Sequence, residues 1–484
     1  MDALLNGYEV ELDAHIKRER AGIKLAQFTG QLLYDKGVEL VLFRNHLDGL
    51  TNSEILNLHE YSRKVVEKPI DVYTTSMLAE ALMDMDLAPS KLDIGKLAYE
   101  YLESNGKYPD ASSFLKDTLK DFLGHDKHQF KPKDVILFGF GRIGRIAARE
   151  LIKQAGKGQQ LRLRAIVTRE TTPDVLLKRA ALFKNDSVHG TFDGIVDVDV
   201  DKKVMTLNGM KVLMLEAKNP EDIDYTAYGI NDALVIDNTG VFKDKEALSR
   251  HLKAKGVSKV ILTAPGKEMP NVVYGINQKD INLDDDAIVS AASCTTNAIS
   301  PILKVINDSF GIVKGHIETV HAYTNDQNLL DNMHKKPRRG RSAAINMVIT
   351  STGAGNAVTK VIPELKDKLT ANAVRVPTPN GSLAIMSLEL QKGVNLEDVN
   401  KAIRYAALNG NLVNQIYYSI DEELVSSDII GNTCCSVYDA PATIVSKDNK
   451  NVVLYTWYDN EFGYTKQVIR LAKYVAKVRR LIYY

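Results

Sequence analysis

The spacing of hydrophobic positions changes near residue 134. Ahead of it, apolar residues recur at helical intervals behind polar caps. Ser53 and Glu54 precede Ile55, Leu56 and Leu58, and Ser112 precedes Phe114, Leu115, Leu119 and Phe122 with Gly124 behind. Cap, stripe and stop together predict short amphipathic helices, so residues 1–133 are expected to form an all-α extension and linker. The polar stretch His125 to Lys133, with Pro132, offers little to pack and reads as the connector.

From Asp134 onward, short β-rich runs alternate with helix-like stretches: Val135–Phe138, Leu161–Val167, Leu234–Ile236, Val260–Thr263 and Ile288–Ser290. Such alternation predicts an α/β domain, a doubly wound parallel sheet with helices on both faces. Asn208-Gly209, between Val204–Leu207 and Val212–Leu215, predicts a hairpin with a two-residue turn. After about Gly315 the strands lengthen, as in Gly381–Leu390 and Asn451–Tyr458, and the helices thin out. An α+β catalytic domain with a mostly antiparallel sheet is expected there. The boundaries drawn are 1–133 for the extension, 134–293 plus 465–484 for the Rossmann-type domain, and 294–464 for the catalytic domain.

Length and charge narrow the class. At 484 residues the chain exceeds one compact core, and a formal net charge of +1 creates no field that would recruit nucleic acid or anionic lipid. Three cysteines, two of them adjacent, cannot build a disulfide framework, and no run approaches the roughly 18 apolar residues of a membrane span. A cytoplasmic protein with no nucleic-acid and no membrane partner is expected. No Cys/His spacing suggests a metal site.

Gly139-Phe140-Gly141-Arg142-Ile143-Gly144 directly follows the apolar run Val135–Phe138 and opens a helix-like stretch. The first glycine permits the turn, the second lets a pyrophosphate approach the backbone, and the third lets helix pack on strand, with the helix N-terminus facing the anion. An acid that would hold a ribose 2'-hydroxyl is missing from the tip of the second strand, where Thr168 and Arg169 stand. A hydroxyl and a guanidinium suit a 2'-phosphate, whereas Glu170 could take the hydroxyl with Arg169 solvated. The reading is NAD or NADP, with NADP accepted.

Cys294 lies between the apolar run Ala287–Ala292 and a helix-like stretch, 27 residues before His321. A thiol attacks a carbonyl as thiolate, and His321 could pair with the sulfur and serve as base. A helix starting near Thr295 would add its positive end, with Pro301 predicting either a kink or a later start.

Six motifs in order carry a resemblance: Gly139–Arg145, Asp186–Gly190, Ser293–Asn297, His321–Thr324, Arg375–Thr378 and Trp457–Tyr464. They resemble those of phosphorylating glyceraldehyde-3-phosphate dehydrogenase, over about residues 134–484. The resemblance implies oxidation of D-glyceraldehyde 3-phosphate with inorganic phosphate through a cysteine hemithioacetal and thioester, in a homotetramer whose loop Tyr323 to Ile345 reaches a neighbour. It implies Cys294 as nucleophile, His321 as base, and Thr324 and Arg375 as ligands of the substrate phosphate. Ser293, Thr295, Thr352 and Gly353 would line the inorganic phosphate site, with Arg339 approaching it. Asn460 would fix the nicotinamide carboxamide, and Asn238, Thr239 and Gly240 would form the loop beneath the cofactor. Ala291 and Asn356 depart from the family pattern, where asparagine and lysine are common, and residues 1–133 have no counterpart in the usual enzyme. Two other readings are an erythrose-4-phosphate dehydrogenase and a dinucleotide-sensing interaction protein that uses the N-terminal helices.

Overall fold

A computed structural model describes residues 2–484, with side chains from residue 7 onward. The chain forms two compact units. One comprises Met1–Lys131, Gly156–Gln159 and Arg479–Tyr484, and the other Pro132–Ala155 and Gln160–Val478.

The first unit is built on helices. Asp2–Gln31 runs into a single wider turn, Leu32–Lys36, stopped by Gly37 at φ 69°. Asn52–Lys64, Val72–Met83, Ile94–Glu103 and Ala111–Thr118 follow, capped by Thr51, Asp71, Asp93 and Asp110. Thr51 and Glu54 form a reciprocal capping box, and both caps stand two residues ahead of the Ser53 and Ser112 that the sequence suggested. A capping oxygen must reach an amide two or three residues on, and Thr51 and Asp110 meet that condition.

This unit also holds a four-stranded sheet that the all-α reading did not include, in the order Asn45–His46, Glu39–Leu42, Ser90–Asp93, Leu481–Tyr483. Strands of two to four residues are too short for alternation to stand out, and the last comes from the far end of the chain. The terminal residues 479–484, expected in the Rossmann-type domain, therefore belong to this unit. Leu481, Ile482 and Tyr483 pair in parallel with Ser90, Lys91 and Leu92. Arg480 bonds Glu39 at 3.1 Å with only 5% of its side chain exposed, and Lys96 Nζ donates to the Tyr484 carbonyl at 2.7 Å.

The second unit contains the expected doubly wound sheet. Its order is Ile288–Ser290, Val257–Leu262, Ala233–Asp237, Lys133–Phe138, Leu161–Thr168, Met210–Glu216, Val204–Leu207, Val196–Asp199. The first six strands are parallel and the last two antiparallel. Every residue of Ala233–Asp237 is buried, as expected for a parallel strand covered on both faces. Leu207 pairs with Met210 across Asn208 (φ 47°) and Gly209 (φ 80°), the left-handed pair that a tight hairpin turn requires.

The second sheet runs Val348–Thr350, Leu369–Val376, Ile312–Ala322, Ser382–Leu390, Asn451–Tyr458, Ser436–Asp439, Ile416–Ser419, with Ile444–Val445 beside Asn451–Tyr458. It is mostly antiparallel, with parallel pairs at Ile312–Ala322/Leu369–Val376 and Ile416–Ser419/Ser436–Asp439. Helix Cys294–Phe310 packs on it without a break at Pro301. Proline removes the donor that would reach the Asn297 carbonyl. The Cys435 thiol replaces it, donating to Asn297 O at 3.1 Å, and Ser436 Oγ donates to Ala298 O.

Candidate active site

The phosphate-binding turn has the geometry its three glycines imply. Strand Lys133–Phe138 leads into Gly139 at φ 97°, where a Cβ would press on Asn238 and Thr239 at 3.1–3.2 Å. A Cβ on Gly144 would stand 2.4 Å from the Gly139 carbonyl oxygen, whereas one on Gly141 would meet nothing within 4 Å. Close packing thus fixes the outer glycines and leaves open space over the middle one. Helix Arg142–Lys153 starts there with no side-chain cap, so its first amides face that space.

Arg142 is placed differently from a phosphate ligand. Its guanidinium is shared by Glu461 (Nε–Oε1 2.5 Å, NH2–Oε2 2.6 Å) and Asp186 (two contacts of 3.2 Å), and Glu461 also bonds His189 Nε2 at 2.9 Å. Arg142 therefore joins the first, second and last of the six motifs through its side chain. These contacts and two amides, from Val188 and His189, hold the Asp186 carboxyl at about 2 against the cost of its burial.

Beyond the turn a cleft of about 750 Å³ is lined by Phe140, Gly141, Thr168, Arg169, Thr239 and Phe242, among others. Asp237, fully buried and bonded to His251 Nε2 at 2.9 Å, accepts from Thr239 N and Oγ1 at 2.9 and 2.7 Å and so shapes the loop through Gly240 (φ 67°). Asn238 Oδ1 and Arg145 Nε are buried without partners at this place. An uncapped helix start, an open glycine and orphaned polar atoms fit a dinucleotide. Thr168 Oγ1 donates to the Glu170 carbonyl at 2.9 Å. Arg179 and Lys218 line the same cleft, two cations that sequence reading missed because both are remote from the glycine motif.

Cys294 is the first residue of its helix, with Ser293 as N-cap: Ser293 Oγ accepts from Thr296 N at 3.0 Å and contacts Thr296 Oγ1 at 2.7 Å. The preceding Ala292 sits at φ 57°, a conformation that costs an L-residue about 1–2 kcal/mol. Ser290 Oγ accepts from its amide at 3.0 Å, and Tyr464 OH donates to its carbonyl at 3.0 Å. This clamped turn aims the sulfur across the helix end at His321.

Cys294 Sγ lies 3.7 Å from His321 Nε2. His321 Nδ1 is 2.7 Å from the Ala322 carbonyl, which assigns its proton to Nδ1 and leaves the Nε2 lone pair towards the sulfur. Arg375, in register beside His321, donates to the same carbonyl at 2.8 Å and approaches Nδ1 at 3.1 Å and Thr324 Oγ1 at 3.4 Å. Burial and then Arg375 push His321 down to about 4. Burial pushes the Cys294 thiol up, against which Arg375 acts to lower it.

The expected phosphate ligands surround this pair unevenly. Thr324 Oγ1 and Arg339 NH1 both hold the Asp326 carboxylate, and Arg339 Nε donates to Thr350 Oγ1 at 3.1 Å. Thr295 Oγ1 meets Tyr458 OH at 3.1 Å. Thr352 and Gly353 stand ahead of the short helix Ala354–Thr359, just past strand Val348–Thr350, whose Val348 pairs with Arg375. Asn460 is buried, its Oδ1 accepting from Ser382 Oγ at 2.9 Å. Among the described residues no group of three or more His, Cys, Asp or Glu could hold a metal ion, and no helix is long and apolar enough to cross a membrane.

Two family models match in succession: the glyceraldehyde 3-phosphate dehydrogenase NAD binding domain over residues 133–245 and its C-terminal domain over residues 293–460. A glyceraldehyde-3-phosphate dehydrogenase-like protein of Pseudomonas aeruginosa is 46% identical over 454 residues, 93% of this chain and 97% of that protein. That match must extend into the residues ahead of 133. The glyceraldehyde-3-phosphate dehydrogenases of Geobacillus stearothermophilus and Clostridium pasteurianum are 42% and 39% identical, covering 70% and 72% of this chain and 96% and 99% of their own lengths. With a dinucleotide turn, a thiol–imidazole pair and these matches in one order, the chain belongs to the glyceraldehyde-3-phosphate dehydrogenase family of oxidoreductases.

Proposed function

We propose that the protein oxidises D-glyceraldehyde 3-phosphate with inorganic phosphate, giving 1,3-bisphosphoglycerate. The observation that carries this is the 3.7 Å approach of Cys294 Sγ to His321 Nε2 beside the Arg375 guanidinium. The sulfur adds to the aldehyde carbon, its proton passing through His321 to the new alkoxide oxygen, and a hemithioacetal forms. His321 then takes the hydroxyl proton. A nicotinamide dinucleotide, when bound, supplies the hydride acceptor that turns this adduct into a thioester. Phosphate attacks the thioester carbonyl, the C–S bond breaks, and Cys294 leaves as thiolate. Thr324 and Arg375 hold the substrate phosphate. Ser293, Thr295, Thr352, Gly353 and Arg339 hold the attacking one, and Asn460 orients the nicotinamide.

NADP is accepted in this reading. Arg169, Arg179 and Lys218 line one cleft, where Arg179 Nε is buried without a hydrogen-bond partner and the guanidinium feels the Glu170 charge. A 2'-phosphate bearing about −1.5 to −2 charges would give these cations a charge-assisted partner. A homotetramer is supported by Leu329, Leu330, Met333, Ile345 and Met347, each 74–92% exposed on one loop region, an apolar surface suited to a second copy. Three unpaired cysteines suit a reducing cytoplasm.

The decisive experiment measures phosphate-dependent reduction of NAD and NADP separately with purified protein. Turnover on glyceraldehyde 3-phosphate, lost in Cys294→Ser, is expected. A protein that binds cofactor and turns over neither this aldehyde nor erythrose 4-phosphate would overturn the proposal, and phosphate-independent release of a free acid would redirect it to the erythrose reaction.

A further inference from the structure

Ser382 is fully buried at the start of strand Ser382–Leu390, between strand Ile312–Ala322 on one side and strand Asn451–Tyr458 on the other. No motif includes it. Its hydroxyl has a single proton and two lone pairs, and its contacts, with the Ala322 amide, Asn460 and the Tyr458 side chain that also meets Thr295, all lead to the active site. The Ala322 amide donates to Ser382 Oγ at 3.1 Å, and Ser382 Oγ donates to Asn460 Oδ1 at 2.9 Å. The Ala322 carbonyl in turn accepts from His321 Nδ1 at 2.7 Å and from Arg375 at 2.8 Å.

One hydroxyl therefore holds the residue that orients the imidazole and also fixes the Asn460 amide. With Oδ1 accepting from Ser382, Asn460 presents its Nδ2 donors away from the serine, the orientation needed to bond a carbonyl oxygen. Both functions weaken on a simple loss of the oxygen. The Ala322 amide would be left without its acceptor, and the Asn460 amide could rotate to offer the wrong end.

We propose that Ser382 is a positioning residue for the reaction, a relay that sets the His321 imidazole and the Asn460 side chain relative to each other through one buried hydroxyl. The inference rests on the reading of Asn460 as the nicotinamide ligand and of His321 as the base. It adds a residue that acts on both and touches neither substrate nor cofactor.

The test uses the full-length protein carrying Ser382→Ala, Ser382→Thr, Asn460→Ala, and Ser382→Ala with Asn460→Ala. Cofactor Kd is read by calorimetry, kcat and KM by steady-state turnover, and folding by thermal melting. Ser382→Ala should raise cofactor Kd about tenfold, the effect of one lost orienting hydrogen bond. It should also lower kcat at least about tenfold through misalignment of the base, with the aldehyde KM within about twofold. Ser382→Thr, which keeps the hydroxyl, should restore most of both. In the double variant, Ser382→Ala should add nothing to the Kd already lost with Asn460→Ala.

Unchanged Kd and kcat in Ser382→Ala, or full additivity in the double variant, overturns the relay. If Asn460→Ala itself binds cofactor normally, the reading of Asn460 fails. The His321 arm then stands or falls on whether kcat still drops in Ser382→Ala. Should Ser382→Ala not fold, Ser382→Cys, a similar shape with a weaker donor, takes its place in the same comparisons.

Discussion

Arg375 acts on two titrating groups at once. Its charge lowers the Cys294 thiol and depresses the His321 imidazole, so an anion seated on it weakens both effects and lets both values rise. Inorganic phosphate, at concentrations high enough to fill the substrate-phosphate position on Arg375 as well, should therefore slow alkylation of Cys294 by neutral iodoacetamide at a fixed pH near neutrality. Arg375→Ala should be slow with or without phosphate. Faster alkylation on adding phosphate would contradict this electrostatic account. His321, held at about 4 against an ordinary 6.5, binds its proton less readily folded than unfolded. Stability is then complete above pH 6.5 and declines as pH falls through about 4. His321→Gln should flatten that limb, as read from urea midpoints across the window. Behind the nucleophile, Cys435 supplies the donor that Pro301 lacks. Cys435→Ala should cost about 1–3 kcal/mol of stability, the usual penalty for an orphaned buried acceptor, with the aldehyde KM unchanged.

At the scale of elements, the glycine turn separates packing from binding. Gly144→Ala drives a Cβ to 2.4 Å from a backbone oxygen and should destabilise by about 1–3 kcal/mol or more. Gly141→Ala meets nothing; it should fold normally and weaken cofactor binding, a contrast that melting and calorimetry together can read. These roles were legible in the sequence because the glycines are adjacent to a strand and a helix that periodicity identifies. The Cys294–His321 pair was legible for a different reason, the order of motifs. Arg179 and Ser382 were not. Arg179 reaches the cleft from helix Pro173–Lys184, and Ser382 matters only through strand neighbours brought together by the sheet. Likewise Arg142, read as part of the phosphate turn, proved to be held by Asp186, 44 residues on, and Glu461, 319 residues on, contacts that local spacing cannot express. The sheet at Glu39–Leu42 and Ser90–Asp93 escaped notice because its strands are short and its last member is supplied from residues 481–483.

For the whole molecule, connectivity is the informative feature. The chain leaves the first unit at Lys131, returns for Gly156–Gln159, and returns again at Arg479. Removing residues 479–484 takes away a parallel strand, the Arg480–Glu39 pair and the Tyr483–Glu100 bond. Residues 39–93 should then exchange amide hydrogens faster, while Cys294 and its surrounding sheet keep their protection. Equal protection in both forms would mean the strand is dispensable. A ribosome releases residues 481–483 after every residue of the dehydrogenase unit, so the sheet begun at residues 39–46 waits through that whole unit to be completed. Loss of residues 479–484 would leave an intact oxidoreductase fold and an unfinished sheet.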